Sequence, residues 1–190
     1  MSASTHSSRA AALEQAGYLV NILQSGAEFE QQVDAYLQGR RSLARYFRDF
    51  ALEEMNDDVD LISIVKTDIN NFLSSRLADR LPAKLFVVRG YTGVHTVLLR
   101  YLQRNDGNFV SADRLRVLTE DQVHTERRVR ELRDLGFRID AQKISGQNQY
   151  RLSDLSPDLL IGGRYQLRRN LESEGSHTEA KIALLVMELS

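Results

Sequence analysis

Apolar side chains recur every three or four residues through much of the chain, which is the spacing of one face of an α-helix. The clearest example runs from Leu61 to Leu77. The segment 28–55 shows the same spacing without a proline, and Gly39 is a candidate point of division within it. Residues 13–24 are weakly helical, since a glycine lowers their helix propensity. Together these segments predict a helical module over residues 13–82.

The pattern changes after Gly90 to short elements separated by polar turns. Ser111 is placed to cap a helix N-terminus, and Gly136 is placed to end a later helix. The predicted order is a helix over 94–103, a helix over 112–117, a helix over 124–135, a strand over 137–141, a hairpin tip over 145–148 and a strand over 149–152. Three short helices followed by a hairpin is the order of a winged helix-turn-helix.

The predicted fold class is therefore mainly α with a small β-hairpin wing, a helical N-terminal module joined to a winged helix-turn-helix. Residues 159–169 predict a further small hairpin or strand, and the apolar run 181–189 must be buried within the chain or on a partner. The predicted domains are a disordered start (1–12), a helical assembly module (13–82), a winged-helix domain (85–155) and a C-terminal extension with an apolar end (156–190).

Composition excludes several classes of protein. The 190 residues include no cysteine, which rules out a disulfide framework, a cysteine-ligated zinc finger and a thiol nucleophile. No apolar stretch approaches the roughly 18–20 residues that cross a bilayer. The first 12 residues lack the apolar core of a secretory signal. We therefore expect a cytoplasmic protein that does not bind a membrane.

Charge is distributed unevenly along the chain. The net charge is −1 overall, but residues 81–170 carry 16 Lys and Arg against 10 Asp and Glu, a net charge of +6. Residues 1–80 carry a net charge of −4, and residues 171–190 a net charge of −3. Such asymmetry indicates that the middle of the chain meets a polyanion.

The helix predicted over 124–135 has an apolar face and a basic face. At 100° per residue, Val129 and Leu132 lie on one side, and Arg127 and Arg130 lie on the other. Exposed arginines bind guanine edges or phosphates. Arg128 lies close to the apolar side, where its role is either nucleic-acid contact or structural packing.

The stretch from Arg127 to Ile139, together with Gly146 and the segment from Tyr150 to Leu152, resembles the winged-helix domain attached to several bacterial restriction endonucleases. In those domains an Arg-rich helix leads into a strand, a glycine-containing wing and a closing strand. The resemblance covers residues 94–152 and implies binding of double-stranded DNA, within a bacterial defence or restriction–modification system. The predicted DNA-binding residues, from the helix analysis and the resemblance together, are His124, Thr125, Arg127, Arg128, Arg130, Arg133, Lys143, Gln147, Asn148 and Arg151.

Catalytic signatures are not readable in the sequence. The lysines at 66 and 84 do not follow the acidic residues that a metal-dependent nuclease strand requires, and the four histidines have no metal-ligand spacing. The acidic residues Asp57, Asp58 and Asp60 directly precede the clearest helix, where negative charge is typical of a helix N-terminus. We therefore predict no catalytic residue, no metal and no cofactor.

The sequence thus predicts a DNA-binding protein, acting as a transcription regulator or as the DNA-recognition accessory of a larger complex. Residues 26–80 and 181–189 are the expected surfaces for a homodimer or for a larger complex. Two alternatives remain open. One is a protein-interaction adaptor whose winged helix packs on a partner protein, and the other is a nuclease subunit.

Overall fold

The computed structural model describes residues 2–55, 59–91, 93–120, 124–175 and 178–189. Within these ranges the chain is mainly helical, with a small antiparallel sheet, which confirms the predicted fold class. The elements in chain order are α1 (Ala3–Ser25), α2 (Phe29–Glu54), α3 (Leu61–Leu77), a 3₁₀ turn (Ala83–Leu85), α4 (Gly93–Arg104), β1 (Val110–Ser111), α5 (Ala112–Leu118), α6 (Thr125–Asp134), β2 (Arg138–Ile144), β3 (Gln147–Asp154), α7 (Leu159–Glu174) and α8 (Glu179–Met187).

The two N-terminal helices form a hairpin with close packing. Gly39 does not divide α2, because it faces α1, with Leu19 at 3.7 Å from the position a Cβ would take. Ser2 caps α1, and the buried residues of its first turns are small, Thr5 and Ser8 among them. The prediction of a disordered start is therefore wrong for residues 3–12. Small polar side chains that are buried leave no apolar stripe to detect in the sequence.

The hydrophobic core is continuous from Met55 to Leu189. Helix α3 buries the predicted stripe and packs against α7, so it shares a core with the elements that follow residue 85. The predicted division between 82 and 85 does not separate two packing units. The apolar run 181–189 lies in α8 and places Ile182, Leu185 and Leu189 in the same core.

Residues 159–169, predicted as a hairpin or strand, are part of helix α7. A pair of glycines such as Gly162–Gly163 is typical of a turn, but here both glycines serve helix packing. A Cβ on Gly162 would lie 2.8 Å from the carbonyl oxygen of Leu135, and one on Gly163 would lie 3.0 Å from the ring of Phe72. Only a glycine allows these elements to approach so closely.

The three strands form an antiparallel sheet in the order β1–β3–β2. The hairpin tip is shorter than predicted, because Ser145 and Gly146 alone form the turn, with φ of 50° and 83°. Positive φ at both central residues is typical of a two-residue hairpin turn. Gln147 and Asn148 therefore belong to β3 and not to the tip, and Ile139 and Leu152 face the core.

Helices α5 and α6 follow one another in the chain and pack against each other. Ser111 caps α5 as predicted, by accepting a hydrogen bond from the backbone N–H of Arg114. Gly136, with φ of 96°, follows α6 as predicted. Within the described ranges, none of the helices has both the length and the hydropathy of a membrane-spanning segment.

Candidate nucleic-acid interface

Helix α6 has the predicted two-sided arrangement. Val129 and Leu132 are buried in the core, whereas Arg127 and Arg130 are exposed on the opposite side. In the part of the chain that the structure describes, Arg130 makes no hydrogen bond or ion pair with the protein. Its guanidinium is therefore available to an external acceptor.

A groove of about 430 Å³ separates α6 from the β2–β3 hairpin. Four of the predicted DNA-binding residues line it, namely Arg130 and Arg133 from α6, Lys143 from β2 and Asn148 from β3. Lys143 lies directly opposite Asn148 in the strand register, so the two side chains project together from one face of the hairpin. We call this feature the α6–hairpin groove.

Arg133 has a second role in positioning the hairpin. Its Nε donates a hydrogen bond to the carbonyl oxygen of Ile139, at 2.7 Å. This bond ties α6 to the first strand of the hairpin and fixes the width of the groove at that point. Part of the guanidinium remains available on the groove side, because Arg133 also lines the cavity.

Glu126, which was not among the predicted site residues, also lines the α6–hairpin groove. It forms an ion pair with Arg116 of α5. Burial raises the pKa of Glu126, but hydrogen bonds from its own backbone and from Arg116 outweigh this effect, and the net pKa is lowered. The pair joins two different helices, so no periodicity within one helix could have revealed it.

The opposite flank of α6 is organised around Glu131. Its Oε1 accepts a hydrogen bond from Arg127 Nε at 3.1 Å, and its Oε2 accepts one from Arg128 Nη1 at 2.8 Å. The Nε2 of buried His95 lies 2.8 Å from the same Oε2. Burial raises the pKa of Glu131, but the hydrogen bonds from Arg128 and His95 outweigh this effect, and the net pKa is lowered. The carboxylate is therefore ionised at neutral pH.

Four predicted residues lie outside the groove and this flank. Thr125 is fully buried, with its hydroxyl 2.8 Å from that of Thr119, so the prediction that it contacts DNA is wrong. Arg151 lies on the other face of the hairpin from Lys143, where it binds Asp140 at 2.6 Å. Gln147 donates a hydrogen bond to Asp113 of α5, at 3.0 Å. His124 is exposed at the start of α6.

The acidic segment before α3 has a structural role where it is described. Both carboxylate oxygens of Asp60 bind Ser63, one through the backbone N–H and one through the hydroxyl, which caps α3. The hydroxyl of Ser63 is the main reason that the pKa of Asp60 is lowered. Asp57 and Asp58 lie outside the described residues. Among the described residues, no group of three acidic or histidine side chains is arranged to hold a metal ion.

Comparison with known proteins gives a match to part of the chain. Residues 96–167 match the family model described as the KpnI N-terminal domain, which is restriction endonuclease-related. Neither the curated proteins nor the solved structures that were compared contain a match. The matched segment begins within α4, ends within α7 and contains every residue of the α6–hairpin groove. This part of the chain is therefore similar to a restriction-enzyme-associated domain.

Proposed function

We propose that the protein binds double-stranded DNA, with α6 in the major groove and the β2–β3 hairpin against the adjacent backbone. The observation that carries the proposal is the α6–hairpin groove, in which Arg130, Arg133, Lys143 and Asn148 converge beside an exposed helix face. Arginine binds guanine bidentately, and lysine and arginine neutralise phosphates.

The order of elements supports this geometry. From α4 to β3 the chain runs helix, strand, helix, helix and hairpin, and β1 pairs with the closing strand β3. That order is expected of a winged helix-turn-helix, in which the third helix reads the major groove. The net charge of +6 over residues 81–170 supplies the long-range attraction to a polyanion.

The family match supports a restriction-type setting for this activity. Residues 96–167 are similar to a restriction endonuclease-related domain. We propose that the chain serves as the DNA-recognition part of such a system, in preference to a role as a transcription regulator.

The test is fluorescence anisotropy with a labelled random-sequence duplex over a salt series. Wild-type protein is expected to bind with a log–log salt slope of roughly −5, which corresponds to about six phosphate contacts. The double variant Arg127→Ala/Arg130→Ala is expected to bind more weakly with a shallower slope. Weak, salt-independent binding by both proteins would contradict the proposal and favour the adaptor alternative.

We also propose that a second copy of the chain pairs along α2. Phe29, Tyr36, Leu43 and Phe50 are spaced seven residues apart, and all four are exposed, Phe29 at 74%. Apolar residues that recur every seven positions form one row of the seam along which two helices pack side by side, and the same stripe on both copies is self-complementary.

Light scattering tests the pairing of α2. We expect a dimer mass for the wild-type chain at micromolar concentration and a monomer mass for Tyr36→Glu. The control is Gln38→Glu, which adds the same charge to an exposed polar position of α2. A monomer mass for the wild-type chain throughout that range would overturn the pairing.

A further inference from the structure

A second polar cavity lies on the flank of α6 that faces away from the hairpin. It has a volume of about 280 Å³ and is enclosed by the start of α4, by α6 and by α7. Its lining includes Arg127, Arg128, Glu131, Tyr91, Tyr165 and Arg169. We call it the α4–α6–α7 cleft. The exposed face of α6 lies between this cleft and the α6–hairpin groove.

The cleft carries an excess of positive charge. Three guanidiniums, those of Arg127, Arg128 and Arg169, border it, against two carboxylates, that of Glu131 in the lining and that of Asp134, which binds Tyr165. Glu131 fixes the first two guanidiniums through separate oxygens, at 3.1 and 2.8 Å. Arg169 Nη1 is fixed by the carbonyl oxygen of Arg89, at 3.2 Å.

These contacts leave most of the donor capacity of the three side chains unused. Each guanidinium has five N–H donors. Within the described part of the chain, each of the three binds one protein oxygen. The remaining N–H groups make no hydrogen bond to the described part of the protein, so they are open to an anion, which guanidiniums bind through planar, charge-assisted hydrogen bonds.

Tyr91 adds a neutral donor to the same cavity. Burial raises the pKa of Tyr91, so the phenol stays protonated. Gln166 Nε2 donates a hydrogen bond to Tyr91 Oη at 2.6 Å, which leaves the phenolic proton for another acceptor. The backbone at Tyr91 has φ of 61°, an uncommon conformation for a residue with a side chain, and the ring packs edge-on against His95.

We propose that the α4–α6–α7 cleft binds a phosphate group through Arg127, Arg128, Arg169 and the hydroxyl of Tyr91. The phosphate is supplied either by the backbone of a bound duplex or by a free phosphate compound. The first source rests on the proposed function. It would give α6 a phosphate contact on each flank, one in the cleft and one in the α6–hairpin groove. The second source is independent of DNA binding.

The experiment compares Arg169→Gln with Arg168→Gln. Arg168 is the neighbouring residue of α7, is exposed, and binds Glu172 without lining the cleft, so it is a matched control. Arg127→Gln is the second test variant, because Arg127 is 67% exposed and its loss leaves the core intact. Each protein is titrated with inorganic phosphate and with adenosine monophosphate at constant ionic strength, and amide chemical shifts are recorded. Each is also titrated with duplex over a salt series.

For a backbone phosphate, we expect Arg169→Gln and Arg127→Gln each to reduce the salt slope of duplex binding by about one, whereas Arg168→Gln leaves it unchanged. For a free phosphate compound, we expect saturable shifts around the cleft in wild type and in Arg168→Gln, and none in the two test variants.

The proposal is overturned if neither titration separates the test variants from the control. If the wild-type chain binds no duplex, the proposed function fails, and the phosphate titrations alone then decide the cleft. If duplex binding is strong and both cleft variants retain the wild-type salt slope, without saturable phosphate shifts, the proposed function stands and the cleft proposal fails.

Discussion

Among changes in α6, truncation of Arg130 best distinguishes an effect on DNA affinity from an effect on the stability of the fold. Its side chain is exposed, and in the described part of the chain it makes no hydrogen bond or ion pair that truncation would remove. Arg133 is less suitable, because its truncation also removes the hydrogen bond to Ile139. We therefore expect Arg130→Ala to weaken DNA binding without lowering the unfolding midpoint.

The size of the effect depends on what Arg130 contacts. A bidentate contact to a base is worth about 1–3 kcal/mol, which is a loss of roughly 5- to 150-fold in affinity. A phosphate contact instead lowers the magnitude of the salt slope by about 0.9.

The assay is anisotropy over a salt series, with Arg138→Ala as the matched control. Arg138 is an exposed arginine at the beginning of β2 that does not line the groove. We expect the control to bind DNA nearly as wild type does. If Arg130→Ala binds like wild type, or if the two variants lose the same affinity, the orientation of α6 toward DNA is wrong.

Three further predictions concern stability in denaturant titrations. Leu132→Ala, at a position with no solvent exposure, should cost about 2–5 kcal/mol, and a cost below 1 kcal/mol would contradict its place in the core. Gly162→Ala should cost about 1–3 kcal/mol, because its Cβ would lie 2.8 Å from the backbone carbonyl oxygen of Leu135. Gly17→Ala, with open space around it, should stabilise the chain by up to about 1 kcal/mol, and equal effects of the two substitutions would refute this reasoning. The folded pKa of Glu131 lies below its ordinary value of 4.5, so the contribution of its carboxylate to stability is complete above pH 4.5 and is lost as the pH falls through the folded pKa. The difference in unfolding free energy between wild type and Glu131→Gln should therefore shrink below pH 4.5. A difference that stays constant with pH would argue against the ion pairs of Glu131.

Elements with a long apolar stripe or a specific cap were predicted from the sequence, because the signal is local. Helix α3 buries five residues at helical spacing, and Ser111 and Gly136 stand at the termini where they were expected. The N-terminal part of α1, residues 3–12, escaped prediction because it buries small side chains against α2. Helix α7 escaped because a glycine pair has the same appearance in a turn and in a close helix contact.

The candidate site was only partly predictable, because contacts between distant segments decide which of its residues are exposed, which are buried and which lie together. Helical spacing correctly placed Arg127 and Arg130 on the exposed side, but it could not show that Thr125 points into the core. The sequence also gave no sign that Arg169 of α7 and Tyr91 before α4 meet Arg127 in one cleft. A helical wheel shows on which side of α6 a residue lies. It does not show which residues pack against that side, because these come from segments more than thirty residues away in the chain. The division of α6 into a groove flank and a cleft flank is therefore a tertiary property, and the variants Arg130→Ala and Arg169→Gln test the two flanks independently.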